Sequence, residues 1–158
     1  VTVLCHSCGW RQTDFIPAEG RKPGGWTFDI ESESDLSVRV VRSSSCTVCI
    51  PELDLEVNPG SAATGFVTNM EGLLVRFVDI VKMVMKDIGD DEPENQKLLL
   101  HMLSRLEHAG SEGEALRVEL LDPHGLSQVL HDRAIDRDLT PEEIKSLPVG
   151  PDPAVFSA

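Results

Sequence analysis

The sequence predicts a mainly β protein: one β-sandwich with a helical hairpin inserted between its strands. Three observations lead there. Short stretches of alternating apolar and polar residues fill the chain before residue 58 and return after residue 115. Between them lie two stretches whose apolar residues repeat at helical spacing. Of the 158 residues, 41% are hydrophobic, which suits a single compact domain with a small appendage.

The elements follow in order. Val1 to Cys8 reads as a short strand entering a tight turn, Cys5-His-Ser-Cys8-Gly9, where Gly9 lets backbone amides fold back onto thiolate sulfur. Residues 17–25 have no periodicity and read as loop. Trp26 to Glu31 alternates as a half-buried strand does. Leu36 to Arg42 does the same, with Leu36, Val38 and Val40 on one face, and Ser43 to Ser45 break it. Thr47 to Ile50 and Leu53 to Val57 read as two strands about Pro51, or one strand bent there. Leu53, Leu55 and Val57 face inward.

Residues 58–65 form a loop. Thr68 to Glu71 fits a capping box that opens a helix. Its stripe is Leu73, Leu74, Phe77, Val78, Val81, Met85 and Ile88, and Gly89 stops it. A tight acidic connection leads to a second helix, Glu94 to His108, with Leu98, Leu99, Met102, Leu103 and Leu106 as its stripe. The two stripes predict an antiparallel hairpin over 69–109. Ala109 to Gly113 is loop. Leu116 to Leu121 is a strand, Asp122 to Gly125 a turn, and Ser127 to Leu130 a return strand. Thr140 to Glu143 is a second capping box, with Pro141 at the first helical position of a short helix to Leu147. Pro148, Pro151 and Pro153 predict an extended tail.

Charge narrows the function classes. The net charge is −13, from 27 acidic and 14 basic residues. Such a surface repels phosphate backbones, so nucleic acid is not an expected partner. The longest apolar stretch, Leu73 to Met85, is broken by Arg76, Asp79 and Lys82, and no membrane span is expected. Val1 to Leu4 run straight into Cys-x-x-Cys with no secretory signal, so the expected location is the cytoplasm. There, paired cysteines point to metal or redox chemistry rather than a structural disulfide.

Cys5 and Cys8 place two thiolates on one turn, the donor type zinc prefers, but a structural zinc takes four ligands. His6, between them, points away from a shared ion. Cys46 and Cys49 supply the matching arithmetic. No glycine follows Cys49, however, and the surrounding residues read as strand, where positions three apart face opposite sides. Zinc ligands and packed thiols both remain open for that pair. No nucleophile–base pair, phosphate loop or calcium loop is present, so no enzyme is expected.

Several stretches taken together suggest a family. They are the Cys5 to Arg11 knuckle, the strand ending in Val40-Val41-Arg42, Ile50-Pro-Glu-Leu-Asp-Leu-Glu56, Thr68 to Leu74 ending in Glu-Gly-Leu-Leu, and Leu121-Asp-Pro-His-Gly125. The sequence from Leu4 to about Val129 resembles the ZPR-type zinc-finger proteins, in the short, single-copy archaeal form. The resemblance implies a double-stranded β-helix, jelly-roll-like, with an inserted helical hairpin and a zinc ribbon. The family's ribbon uses two Cys-x-x-Cys pairs. The second matches Cys5 and Cys8, and the first lies upstream of a segment that this chain does not contain. The expected division is therefore a partial ribbon over 1–16, a β domain over 17–147 and a tail over 148–158. Cys46 and Cys49 depart from the family pattern and are expected to be incidental. With one thiolate pair, zinc binding is expected to be weak. The implied partner is translation elongation factor 1-alpha, whose folding the family assists without catalysis. Ribbon and hairpin are the expected contacts, with Met83, Met85, Leu99 and Met102 as candidate partner-binding residues. The competing reading is a cupin-like metal enzyme or small-molecule-binding domain, which needs clustered histidines and a carboxylate on inward strand positions.

Overall fold

A computed structural model of the protein describes residues 2–13, 22–60, 63–88, 92–111, 113 and 115–148. Thr2–Leu4 (β1) and Arg11–Thr13 (β2) pair antiparallel, Leu4 opposite Arg11, so the Cys5–Trp10 segment is the turn of a small ribbon.

The remaining strands form two antiparallel sheets. Gly24–Ile30 (β3) is the first and longest of its sheet. Glu33–Ser37 is a 3-10 turn, followed by Arg39–Arg42 (β4). Thr47–Ile50 (β5) and Leu55–Val57 (β6) pair about a second 3-10 turn at Pro51–Leu53, where Asp54 takes a left-handed φ of 50°. Phe66–Asn69 (β7) leads into Met70–Ile88 (α1), and Pro93–Glu107 (α2) follows. Leu116–Asp122 (β8), Gln128–Leu130 (β9), Ile135–Asp138 (β10) and Pro141–Ser146 (α3) complete the chain. One sheet has the order β10-β3-β8-β5-β6, the other β7-β4-β9. The architecture is a jelly-roll-like sandwich with inserted helices, not a closed barrel.

Its core follows from alternation. On β3 and β8, Phe28 lies opposite Val118, Ile30 opposite Leu116 and Trp26 opposite Leu120. Phe28, Ile30, Leu116, Val118 and Leu120 are all buried. Val40 of β4 and Val129 of β9 join the same cluster from the smaller sheet, and Met70, Leu73 and Phe77 from α1. Each large side chain so buried contributes about 1.5–3 kcal/mol relative to leaving it in water. The hairpin is joined by Leu73, Leu74, Phe77 and Val81 of α1 with Leu99, Leu103 and Leu106 of α2. The Lys82–Glu107 ion pair across it, 3.1 Å long with both partners half-exposed, adds little.

Four local expectations are corrected. The strand expected from Leu36 begins only at Arg39, because the Asp35 carboxylate draws the preceding chain into a turn: it accepts the amides of Glu31 at 2.9 Å and Ser32 at 3.0 Å. Arg133, from the far end of the chain, binds its other oxygen. The first helix is capped by Asn69, whose Oδ1 accepts the Gly72 amide at 2.8 Å. Thr68 is instead committed to β7, opposite Val40. Leu98, expected in the α2 stripe, is exposed. And β10, four exposed residues with no apolar alternation, escaped the pattern because its pairing with β3 rests on backbone bonds. The second capping box forms as expected: Thr140 Oγ1 accepts the Glu143 amide at 3.2 Å, and Glu143 accepts the Thr140 amide at 2.8 Å. Residue 89, the acidic link at 90–91 and the tail from 149 onward, named above, lie outside the described residues, as do parts of the loops at 14–21 and 61–62.

Candidate functional site

The β1–β2 ribbon positions the Cys5 and Cys8 thiols. The Cys5 amide donates to the Trp10 carbonyl at 2.7 Å, and the Gly9 amide to the Cys5 carbonyl at 2.9 Å. Gly9 closes this turn with φ +75°, a conformation a side chain disfavours. The amides of Cys8 and then Ser7 reach the Cys5 sulfur, and they hold the Cys5 pKa below the ordinary thiol range. Cys5 is half-buried and Cys8 exposed, both as free cysteines. Two sulfurs on one turn, one of them already favoured as thiolate, fit zinc's preference for soft donors. They are half of a structural set. Among the described residues, no group of three or more His, Cys, Asp or Glu is placed to complete it.

Cys46 and Cys49 have a different environment. Cys46 is fully buried, and its Sγ donates to the Thr47 carbonyl at 3.3 Å. Cys49 is half-buried on β5, opposite Glu56 on one side and Glu119 on the other. Burial pushes Cys46 up to about 12. Burial, then the carboxylates of Glu56 and Glu119, push Cys49 to about 12 as well. At neutral pH both are therefore protonated thiols, the form that does not ligate metal.

The bend that holds Cys46 is built around Asp122. Its side chain is 1% exposed and accepts six hydrogen bonds. Oδ1 takes the Ser45 hydroxyl at 2.6 Å and the His124 amide at 2.9 Å. Oδ2 takes the Ser43 hydroxyl at 2.7 Å, the Ser127 hydroxyl at 2.7 Å, and the amides of Ser127 and Leu126 at 2.8 and 2.9 Å. Burial alone would raise this carboxyl, but the hydroxyl bonds from Ser45, Ser127 and Ser43 and the His124 amide outweigh it and hold it low. The sequence shows a serine run and an Asp-Pro-x-Gly turn, and nothing in their spacing joins them.

The hairpin carries the exposed apolar surface. Val75 (52% exposed), Met83 (58%), Leu98 (52%) and Leu100 (56%) all stand in solvent. Of the four residues named above as contacts, Met83 is among them, while Met85 and Met102 are half-buried against the core. Leu99 is 9% exposed and belongs to the packed interior, where it holds the hairpin together.

The histidines do not gather. His6, His101, His108 and His131 are exposed and His124 is half-buried. His131 packs edge-on against Phe28 with ring centroids 5.2 Å apart. The cupin-like alternative has no support in this arrangement. No helix among the described residues is long and apolar enough to cross a membrane.

Comparison with known proteins places these features. A family model described as the ZPR1 jelly-roll domain matches residues 34–146. A ZPR1-like protein of Pyrococcus horikoshii is 37% identical over 152 residues, 95% of this chain and 68% of that protein. A ZPR1-like protein of Methanocaldococcus jannaschii is 36% identical over 150 residues, 94% of this chain and 74% of that protein. The zinc finger chaperone zpr1 of Schizosaccharomyces pombe is 34% identical over 92 residues, 57% of this chain but only 19% of that much longer protein.

Proposed function

The chain belongs to the ZPR1 family, and on that premise we propose that it is a non-enzymatic zinc-finger protein that binds translation elongation factor 1-alpha in the cytoplasm and assists its folding. What carries the reading is the hairpin. Val75, Met83, Leu98 and Leu100 expose apolar side chains on an otherwise acidic, polar protein, and a folding assistant needs such surface to hold a client's unburied core residues. The name of the fission-yeast relative, a zinc finger chaperone, supports the same class of activity. A methionine such as Met83 adapts to many client shapes. The acidic surface would speed encounter with a basic client.

Zinc belongs to this reading at Cys5 and Cys8, where it would tie the turn to further ligands and stiffen the ribbon. The chain's own contribution is the pair of thiols and the amides that favour Cys5 as thiolate.

Refolding tests the proposal. Purified elongation factor 1-alpha is diluted from denaturant with and without the protein, and recovered GTP binding is measured. The protein is expected to raise the yield and to form a complex resolved by size exclusion. A Met83→Asp, Leu100→Asp variant is expected to lose both effects while its own melting curve is unchanged, because both positions are in solvent. No complex and no gain in yield would overturn the reading.

A further inference from the structure

A groove of about 770 Å³ lies on the opposite side of α1 from its partner helix contacts, and the described chemistry of the family does not use it. It is bounded by Val57 and Asn58 at the end of β6, Phe66 at the start of β7, and Arg76, Phe77 and Ile80 on α1. Both strands are edges: β6 ends the five-stranded sheet and β7 ends the three-stranded one. The volume is in the range of sites that enclose a small ligand or a few residues of peptide.

Two guanidinium groups converge there. Arg42, on β4, is 8% exposed and lines the groove. One of its nitrogens donates to the Cys46 carbonyl at 2.8 Å, and the group lies 5.4 Å from the Phe66 ring centroid. Arg76 stacks on the same ring at 4.1 Å. Among the described residues, neither has a carboxylate within ion-pair distance, although the other arginines Arg117, Arg133 and Arg137 each have one. This is unusual in a protein with 27 acidic residues. Burial, and the nearby positive charge of Arg76, both act against the charge on Arg42. A buried cation without a paired anion is costly, and a bound anion would relieve it.

The charge count selects the anion. Arg42 and Arg76 oppose one carboxylate in the groove wall, Asp79, which leaves one net positive charge. A single carboxylate balances it, and a planar carboxylate matches the guanidinium fork. The walls formed by Phe66, Phe77, Ile80 and Val57 take an apolar group beside that charge. The outer edge of β6 has no partner strand, so an extended backbone can lie along it.

We propose that this groove binds an extended segment of a protein partner, seating one side-chain carboxylate between Arg42 and Arg76 with an apolar neighbour against α1. The inference holds whichever protein supplies the segment, and its test uses no elongation factor, so its failure and that of the chaperone reading are separate.

Fluorescence polarisation on the whole chain tests it, with a labelled Leu-Val-Glu-Val-Leu peptide amide, the same peptide with Gln at its centre, and octanoate as a competing free acid. The Glu peptide is expected to bind and the Gln peptide to bind at least about tenfold more weakly. Arg76→Gln is expected to cause a similar loss with its melting curve unchanged, since Arg76 is exposed, and Arg76→Lys to restore part of it. Equal binding of the Gln peptide, an unaffected Arg76→Gln variant, or no peptide binding would overturn the proposal. Octanoate competing as tightly as the peptide would also overturn it, by making the groove a site for small acids.

Discussion

Replacing Asp122 with Asn keeps the shape of the side chain and removes its charge, and the cost can be worked bond by bond. If the amide oxygen keeps the Oδ2 position, four bonds survive: those from the hydroxyls of Ser43 and Ser127 and the amides of Leu126 and Ser127. The NH2 group then takes the place of Oδ1. The Ser45 hydroxyl can rotate and accept from it. The His124 amide cannot, so a donor is left facing a donor. A stranded N–H costs about 1–3 kcal/mol, and the surviving bonds lose their charge assistance, for roughly 2–4 kcal/mol in all. For a chain of this length that is a fall in melting temperature on the order of 10 °C.

The charge makes a second signature. The folded Asp122 carboxyl is held below its ordinary value, so its contribution is present above about pH 3.9 and is lost as pH falls through the lower folded value. Circular-dichroism melts of parent and Asp122→Asn across pH 7 to 2 read both effects. The gap between the two proteins should be wide at pH 7 and narrow in acid, since the other carboxylates titrate in both and cancel. A variant that melts within about 2 °C of the parent at pH 7, or a gap that stays constant into acid, would refute the reasoning.

Two other substitutions probe long-range contacts. Asp35, held at about 2 against its own burial by Arg133 and by the Glu31 and Ser32 amides, should lose about 2 kcal/mol of stability at neutral pH when changed to Asn, and almost none at pH 2, read by the same melts. Gly110 has φ +80° and a Cβ there would stand 2.6 Å from the Ser32 carbonyl oxygen, so Gly110→Ala should cost about 1–3 kcal/mol by urea denaturation. Ser111→Ala, in the same exposed turn, should stay within about 0.5 kcal/mol of the parent.

The hairpin and the longer strands were legible before any coordinates. Leu73, Phe77 and Val81 repeat at the helical period, and Leu116, Val118 and Leu120 at the strand period. The Thr140–Glu143 cap was equally plain, because its two partners lie within one turn. The cysteine turn was visible in its Cys-x-x-Cys-Gly spacing. The reading of Leu36 as strand failed although its alternation was genuine, because the Asp35–Arg133 clamp joins residues far apart in the chain.

What the amino-acid sequence determined by itself is every feature whose cause lies within a few residues: periodic burial, capping, and the tight turn carrying Cys5 and Cys8. What only the tertiary structure decided is where distant groups meet. Ser43, Ser45 and Ser127 close on Asp122, a strand with no apolar face adds to β3, and Arg42 and Arg76 come to one phenyl ring. Spacing along a chain constrains side chains through local backbone geometry, which reaches about one helical turn. Beyond that, pairing is set by which packing of the sheets and hairpin buries the apolar faces together, and the polar partners are those that this packing leaves side by side.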